Sequence, residues 1–136
     1  MTERLPSIEL AIGNSADIVT ARHAAREMSN QLGFGKAHQT RLATAVSELT
    51  RNVIQYAGTG HCMIEDLSDA RERVVQITIE DHGPGIADLI LAMEDGFSTS
   101  NGLGAGLPGT RRLVDDFHIS SSPGMTRVII TVRKPA

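Results

Sequence analysis

A two-layer sandwich, an α/β (α+β) arrangement with helices on one face of a mostly antiparallel sheet, is the fold this 136-residue sequence predicts. Three patterns predict it. Two long stretches of helical periodicity occupy the first half of the chain. Strand-like segments then recur as neighbours joined by short turns, at 61–80 and again at 117–133. No internal repeat, low-complexity tract or linker interrupts residues 1–136, which therefore read as a single domain of common size.

Residues 7–12 (Ser-Ile-Glu-Leu-Ala-Ile) alternate apolar and polar, as a half-buried strand does. Asn14 and Ser15 are suitable caps for a helix running to about Leu32 and ended by Gly33, with Ile18, Ala21, Ala25 and Met28 facing the core. A second helix is expected from about Ala37 to Tyr56, with an apolar stripe of Leu42, Val46, Leu49 and Val53. Arg41, Ala45, Glu48 and Asn52 form an adjacent stripe, so Glu48 and Asn52 lie one turn apart at the border of the buried face. Ala57-Gly-Thr-Gly60 ends this helix. Strands follow at 61–67 and 73–80, with Asp69, Arg71 and Glu72 near the hairpin turn. A short helix is expected at 87–93, and the periodicity-free, glycine- and serine-rich segment 95–106 reads as a mobile loop. A helix from Leu107 to about Asp115, with proline in its first turn, and strands at 117–122 and 126–133 complete the chain.

Composition narrows the function. Net charge −3 and a pI near 5.9 argue against nucleic acid as the main partner, and Phe34, Tyr56, Phe97 and Phe117 are the only aromatics available to stack bases. The opening Met-Thr-Glu-Arg-Leu-Pro lacks an apolar signal core, and no apolar run reaches spanning length, so no membrane association is expected. Cys62 is the single cysteine, which suits a cytoplasmic protein and a core role for that thiol. The five histidines show no ligand spacing, which makes a zinc site improbable.

Three short motifs carry chemistry in a fixed order: Glu48-Leu-Thr-Arg-Asn52, Asp81-His-Gly-Pro-Gly85 and Gly102-Leu-Gly-Ala-Gly106-Leu-Pro-Gly109. Alone, the first is a solvated helical pair, the second a strand-ending turn and the third a flexible linker. Together they can hold a nucleotide, its metal and a reacting hydroxyl. Asn52 offers Mg2+ a neutral oxygen, enough when phosphates supply the other ligands. Glu48, one turn away, can orient and deprotonate an attacking hydroxyl. The Asp81 carboxylate can accept from the exocyclic amine of adenine, whereas guanine presents an acceptor there, which favours ATP over GTP. Glycines beside Asp81 would let backbone approach a planar ring, and the third motif opens a helix whose free amides suit phosphate. Residues 104–109 match Gly-x-Gly-x-x-Gly, but no strand directly precedes them and no acidic residue follows about twenty positions later. Gly35-Lys36 is not a phosphate-binding loop, because Asn30 and Ala37 stand at its first glycine and hydroxyl positions.

The three motifs resemble the asparagine box and two glycine boxes of the ATPase and kinase family shared by gyrase, Hsp90, histidine kinases and MutL. More narrowly, Ala45-Val-Ser-Glu-Leu-Thr-Arg-Asn52, Tyr56-Ala-Gly-Thr-Gly60, Glu80-Asp-His-Gly-Pro-Gly-Ile86 and Met93-Glu-Asp-Gly-Phe-Ser-Thr-Ser100 resemble the RsbT type of serine/threonine kinase. The resemblance covers nearly the full chain and implies a Bergerat fold. It implies Asn52 on magnesium, Asp81 on adenine, and Gly83, Gly85, Ile86, Gly102, Gly104, Ala105, Gly106 and Leu107 around the nucleotide. It also implies an adenine-proximal Thr126, although Gly124-Met-Thr126 departs from relatives that place threonine directly after glycine. The partners it implies are STAS-domain antagonists and stressosome scaffolds, which the kinase phosphorylates, and a PP2C-type phosphatase, which the released kinase activates. Alternatives are an anti-sigma factor kinase, whose members tend to carry histidine where this chain has Tyr56, and a non-catalytic ATP-dependent binding module, which would not require Glu48.

Overall fold

The computed structural model describes residues 3–85 and 106–136. Their elements run β1 (Ile8–Ile12), α1 (Ser15–Gln31), α2 (Lys36–Tyr56), β2 (Gly60–Asp66), β3 (Glu72–Asp81), α3 (Gly106–Arg111), β4 (Asp116–Ser122) and β5 (Met125–Pro135). The five strands form one sheet in the order β1-β2-β3-β5-β4, with every neighbouring pair antiparallel. The helices lie against one face, which is the expected two-layer sandwich.

Local chemistry explains the helix ends. The Asn14 side chain accepts from the Asp17 N–H (3.1 Å) while the Asp17 carboxylate accepts from the Gly13 and Asn14 N–H groups, a reciprocal box that starts α1. Gly33, at φ +85°, ends the same helix, and Gly58, at φ +86°, ends α2, where the N–H groups of Ala57 and Gly58 both reach the Val53 carbonyl. The last helix is shorter than the sequence predicts. It stops at Arg111 because the Asp115 N–H donates to Thr131 O and the Asp115 carboxylate accepts from the Arg133 N–H, which draws that segment into the edge of β5. The helix expected at 87–93 and the loop at 95–105 lie outside the described residues.

Strand alternation puts every second side chain on the helix side. One transverse row there is Ile8, Ile64, Ile77, Ile130 and Phe117, and the next is Leu10, Cys62, Ile79, Val128 and Ile119. These rows pack against Ala21, Ala25 and Met28 of α1 and Leu42, Val46, Leu49 and Val53 of α2, and these residues, with Ile18, are buried as their spacing predicts. Helix α2 is more enclosed than a one-sided amphipathic helix, because all six residues from Ala45 to Thr50 are buried. Small residues allow this, and their hydroxyls are satisfied within the helix: Ser47 Oγ donates to Ala43 O (2.8 Å) and Thr50 Oγ1 to Val46 O (2.7 Å). Burial pushes the Cys62 thiol up to about 12, so it is a protonated core group and not a nucleophile at neutral pH.

The chain before β1 is tied to the β2–β3 turn. Asp66 accepts from the Leu5 N–H (2.8 Å) and the Ser68 N–H (2.9 Å), and Arg4 Nε donates to Ser68 O (3.0 Å). Burial alone would raise the Asp66 carboxyl, but the hydrogen bonds from Ser68 and Leu5, with the Arg4 charge, outweigh it and hold it below the usual range. A depressed carboxylate stabilises the fold above its unfolded value of about 3.9, and that contribution is lost as pH falls through the lower folded value. Asp66→Asn is therefore expected to cost roughly 1–3 kcal/mol at pH 7. Urea unfolding should show the gap to wild type closing below about pH 4. A gap that stays constant into acid would mean the carboxylate charge contributes nothing.

Candidate functional site

The third row on the helix side of the sheet breaks the apolar pattern. It reads Ile12, Gly60, Asp81, Thr126 and Ser121, one residue from each strand, at the end of the core. Gly60 is small for a steric reason. A Cβ there would stand 2.5 Å from the Glu80 carbonyl oxygen and 2.7 Å from Val53 Cγ1, so its absence lets the last turns of α2 lie directly on the sheet. Beside it, Asp81 is half-buried, Thr126 is buried, and the Thr126 and Ser121 hydroxyls are 2.8 Å apart.

Asp81 ends β3 and organises the turn that follows. Its Oδ1 accepts from the Gly83 N–H at 3.0 Å, the turn-forming bond that aspartate makes two residues ahead. The carboxylate keeps acceptor capacity for a further donor, since two oxygens offer about four lone-pair sites. The turn is wedged between two elements. A Cβ on Gly83 would lie 2.6 Å from the Ala57 Cβ at the end of α2, and one on Gly85, which sits at φ +84°, would lie 2.4 Å from the Ser122 carbonyl oxygen. Both glycines thus have a reason inside the chain itself. Their close neighbours are the end of α2 and β4.

Helix α2 brings the other two polar candidates to the same region. Arg41 is exposed, Ala45 and Glu48 are buried, and Asn52 is half-buried, so the polar stripe enters the interior and re-emerges at Asn52, next to Val53, which meets the sheet at Gly60 beside Asp81. Glu48 lies deeper than the border position its spacing suggests, because α2 is enclosed from Ala45 to Thr50. Its side chain is 6% exposed and its Oε1 accepts from Arg51 Nη1 at 2.6 Å, with the arginine side chain 42% exposed. The donor set fits a metal-bound nucleotide: a half-buried neutral amide one turn from a buried carboxylate on α2, with a second carboxylate at the end of β3. Of the remaining candidates, Gly106 begins α3 and Leu107 is buried, whereas Ile86, Gly102, Gly104 and Ala105 lie outside the described residues.

Residues 37–136 match the model of the histidine kinase-, DNA gyrase B- and HSP90-like ATPases. The chain is also 52% identical over 108 residues to the serine/threonine-protein kinase RsbT of Bacillus subtilis, covering 79% of this chain and 81% of that protein. It belongs to this ATPase family, among the RsbT-type serine/threonine-protein kinases. ATP is accordingly its nucleotide. Among solved structures, the RsbU and RsbW domains of a Mycobacterium tuberculosis protein align over 97% of the chain at 18% identity and a TM-score of 0.67, with this chain spanning 33% of that one. A mycobacterial sensor histidine kinase, MprB, aligns over 96% of this chain and 99% of its own at 16% identity and a TM-score of 0.54. At such identities these two structures establish the shared fold alone.

Gly60, Ser121 and Arg51 join the candidate site without a role that the motif chemistry assigns: Gly60 and Arg51 stand inside motifs with no task of their own, and Ser121 stands outside them. Strand register could have found the first two. Counting back by twos from Ile64 through Cys62 reaches Gly60, and forward from Phe117 through Ile119 reaches Ser121. Arg51 carries a weaker signal, its i,i+3 spacing from Glu48. The wedge of the Asp81 turn also makes a steric prediction. Gly83→Ala is expected to destabilise the kinase by about 1–3 kcal/mol through overpacking. Adding Ala57→Gly should return part of that loss in urea unfolding, since it removes the opposing Cβ. Additive destabilisation by the two changes would show that the turn does not rest on Ala57.

Proposed function

We propose that this kinase transfers the γ-phosphate of ATP to a serine or threonine of STAS-domain antagonist and scaffold proteins in a partner-switching stress response. Once released, it activates a PP2C-type phosphatase by direct binding, and it works in the cytoplasm. The observation that carries this reading is that a buried acidic side chain, Glu48, stands one helical turn from Asn52 on a helix packed against the Asp81 turn. The 52% identity to RsbT supports the chemistry and the partner class.

Each residue then has a task. Asn52 would hold Mg2+ through its amide oxygen. The ion, when bound, neutralises charge on the β- and γ-phosphates. Asp81 accepts from the adenine amine, with Thr126 beside it at the same register position. Gly83, Gly85 and Ile86 border the adenine, and Gly102, Gly104, Ala105, Gly106 and Leu107 border the phosphates. The partner's hydroxyl oxygen forms its bond to the γ-phosphorus as the bond to the β-phosphate oxygen breaks. Glu48 takes the hydroxyl proton, and ADP leaves.

Incubation with magnesium-ATP and STAS-domain proteins encoded in the same genome, followed by phosphosite mapping, tests the proposal. Labelling of a serine or threonine on a STAS domain is expected, and nucleotide binding without any transfer would leave only a binding module. Glu48→Gln should slow transfer by about 10²–10⁴-fold, the usual general-base contribution, with nucleotide affinity nearly unchanged. Asn52→Ala should instead abolish magnesium-dependent ATP binding in isothermal titration. Equal retention of affinity and transfer in Asn52→Ala would remove that residue from the site.

Discrimination between nucleotides tests Asp81 separately. Wild type is expected to bind ATP more tightly than GTP by roughly the 1–3 kcal/mol that an unpaired buried polar group costs. Asp81→Asn, which can donate as well as accept, should lose part of that difference. Equal wild-type affinity for both nucleotides would refute the role of the carboxylate.

A further inference from the structure

We propose that Arg51 is a positioning residue: its guanidinium fixes the rotamer of the Glu48 carboxylate, so that one oxygen is committed and the other is presented to the partner's hydroxyl. The inference rests on the proposed assignment of Glu48 as the base. Three observations lead to it. The Glu48 side chain is enclosed at 6% exposure, yet it hangs from a flexible stem that would otherwise sample several rotamers. Arg51 Nη1 reaches Oε1 at 2.6 Å, a charge-assisted bond short enough to hold one geometry. Arg51 also directly precedes Asn52 in the same helical turn, so one stretch of helix carries the base, its ion-pair partner and the proposed metal ligand.

The exposure asymmetry separates this role from a purely structural ion pair. A surface pair contributes little, and a fully enclosed pair would shut both partners away from a substrate. Here the carboxylate is enclosed and the arginine is 42% exposed, so the cation stands between the carboxylate and solvent and leaves that side open to a partner. Arginine suits the task better than lysine, because its planar fork holds an oxygen in a defined direction. Arg41, earlier on the same stripe, is exposed, and Arg111 ends α3, which also packs on α2. Neither is hydrogen-bonded to Glu48 among the described residues.

A double-mutant comparison tests it, with radiolabelled magnesium-ATP and a STAS-domain protein from the same genome, and with rates expressed per nucleotide-binding site counted by titration. Arg51→Gln should lower kcat by about ten- to a hundredfold, the scale of a roughly 1 Å misplacement, with KM for ATP within about twofold. Arg51→Lys should restore part of the rate. In a Glu48→Gln background, Arg51→Gln should cost nothing further in kcat, and it should lower the melting temperature less than it does in wild type, since no buried carboxylate is then left unpaired. The same loss of kcat in both backgrounds, or a wild-type kcat in Arg51→Gln, would overturn the proposal. Failure of the base assignment looks different: Glu48→Gln alone would then transfer phosphate at the wild-type rate.

Discussion

The structure depends on how closely α2 lies on the sheet at the end of the core. Gly60 admits Val53 and Gly83 admits Ala57, each at a distance where a single added carbon would collide. Cores are packed to crystal-like density, so a displacement at these two points cannot be absorbed nearby. The end of α2 is thereby held against the end of β3. Asn52, one turn earlier on that helix, and Asp81, on that strand, inherit their separation from two steric contacts. A site built on a helix and a strand that touch in this way has less freedom than one carried by loops.

The enclosed acidic group follows from the same packing. Because residues 45–50 of α2 are all buried, any polar side chain in that run must find a partner or be lost. Ser47 and Thr50 use carbonyls of their own helix, and Glu48 uses Arg51. Removing one member of a buried pair costs about 3–5 kcal/mol, and an exposed pair is worth about 1 kcal/mol or less. With only the carboxylate enclosed, this pair falls between those limits.

The sequence makes most of the scaffold legible, and its reasons are local. Asn14 with Asp17, Gly33, and the Ile18-to-Met28 spacing define α1 without any reference to tertiary structure. The end of α3 was not legible, because Asp115 is claimed by Thr131 and Arg133 of a strand that lies later in the chain. The depth of Glu48 was hidden for a similar reason. Helical periodicity assigns a face, whereas enclosure on two sides depends on what else packs there. Motifs display the chemistry of Asp81, Asn52 and Glu48, whereas the alignment of Gly60 and Ser121 in one row with Asp81 follows only from cross-strand register, which two-residue periodicity sets within a strand but not between strands.

Register also accounts for the chemical boundary at the site. Two rows of the sheet are apolar from edge to edge, and the next carries glycine, carboxylate and two hydroxyls in adjacent strands. Beyond Ile12 at the β1 edge, such a row gains little from hydrophobic burial. The Thr126 and Ser121 hydroxyls satisfy each other at 2.8 Å, and Asp81 is only partly satisfied by its own turn at Gly83. A polar row of this kind is stable where the core ends and a polar ligand can complete it. On the proposed reading, the purine is that ligand. Its amine would meet the remaining acceptor capacity of Asp81, while its ring would cover the apolar row beyond. The preference for one nucleotide over another would then arise from the same boundary between rows that stabilises the fold.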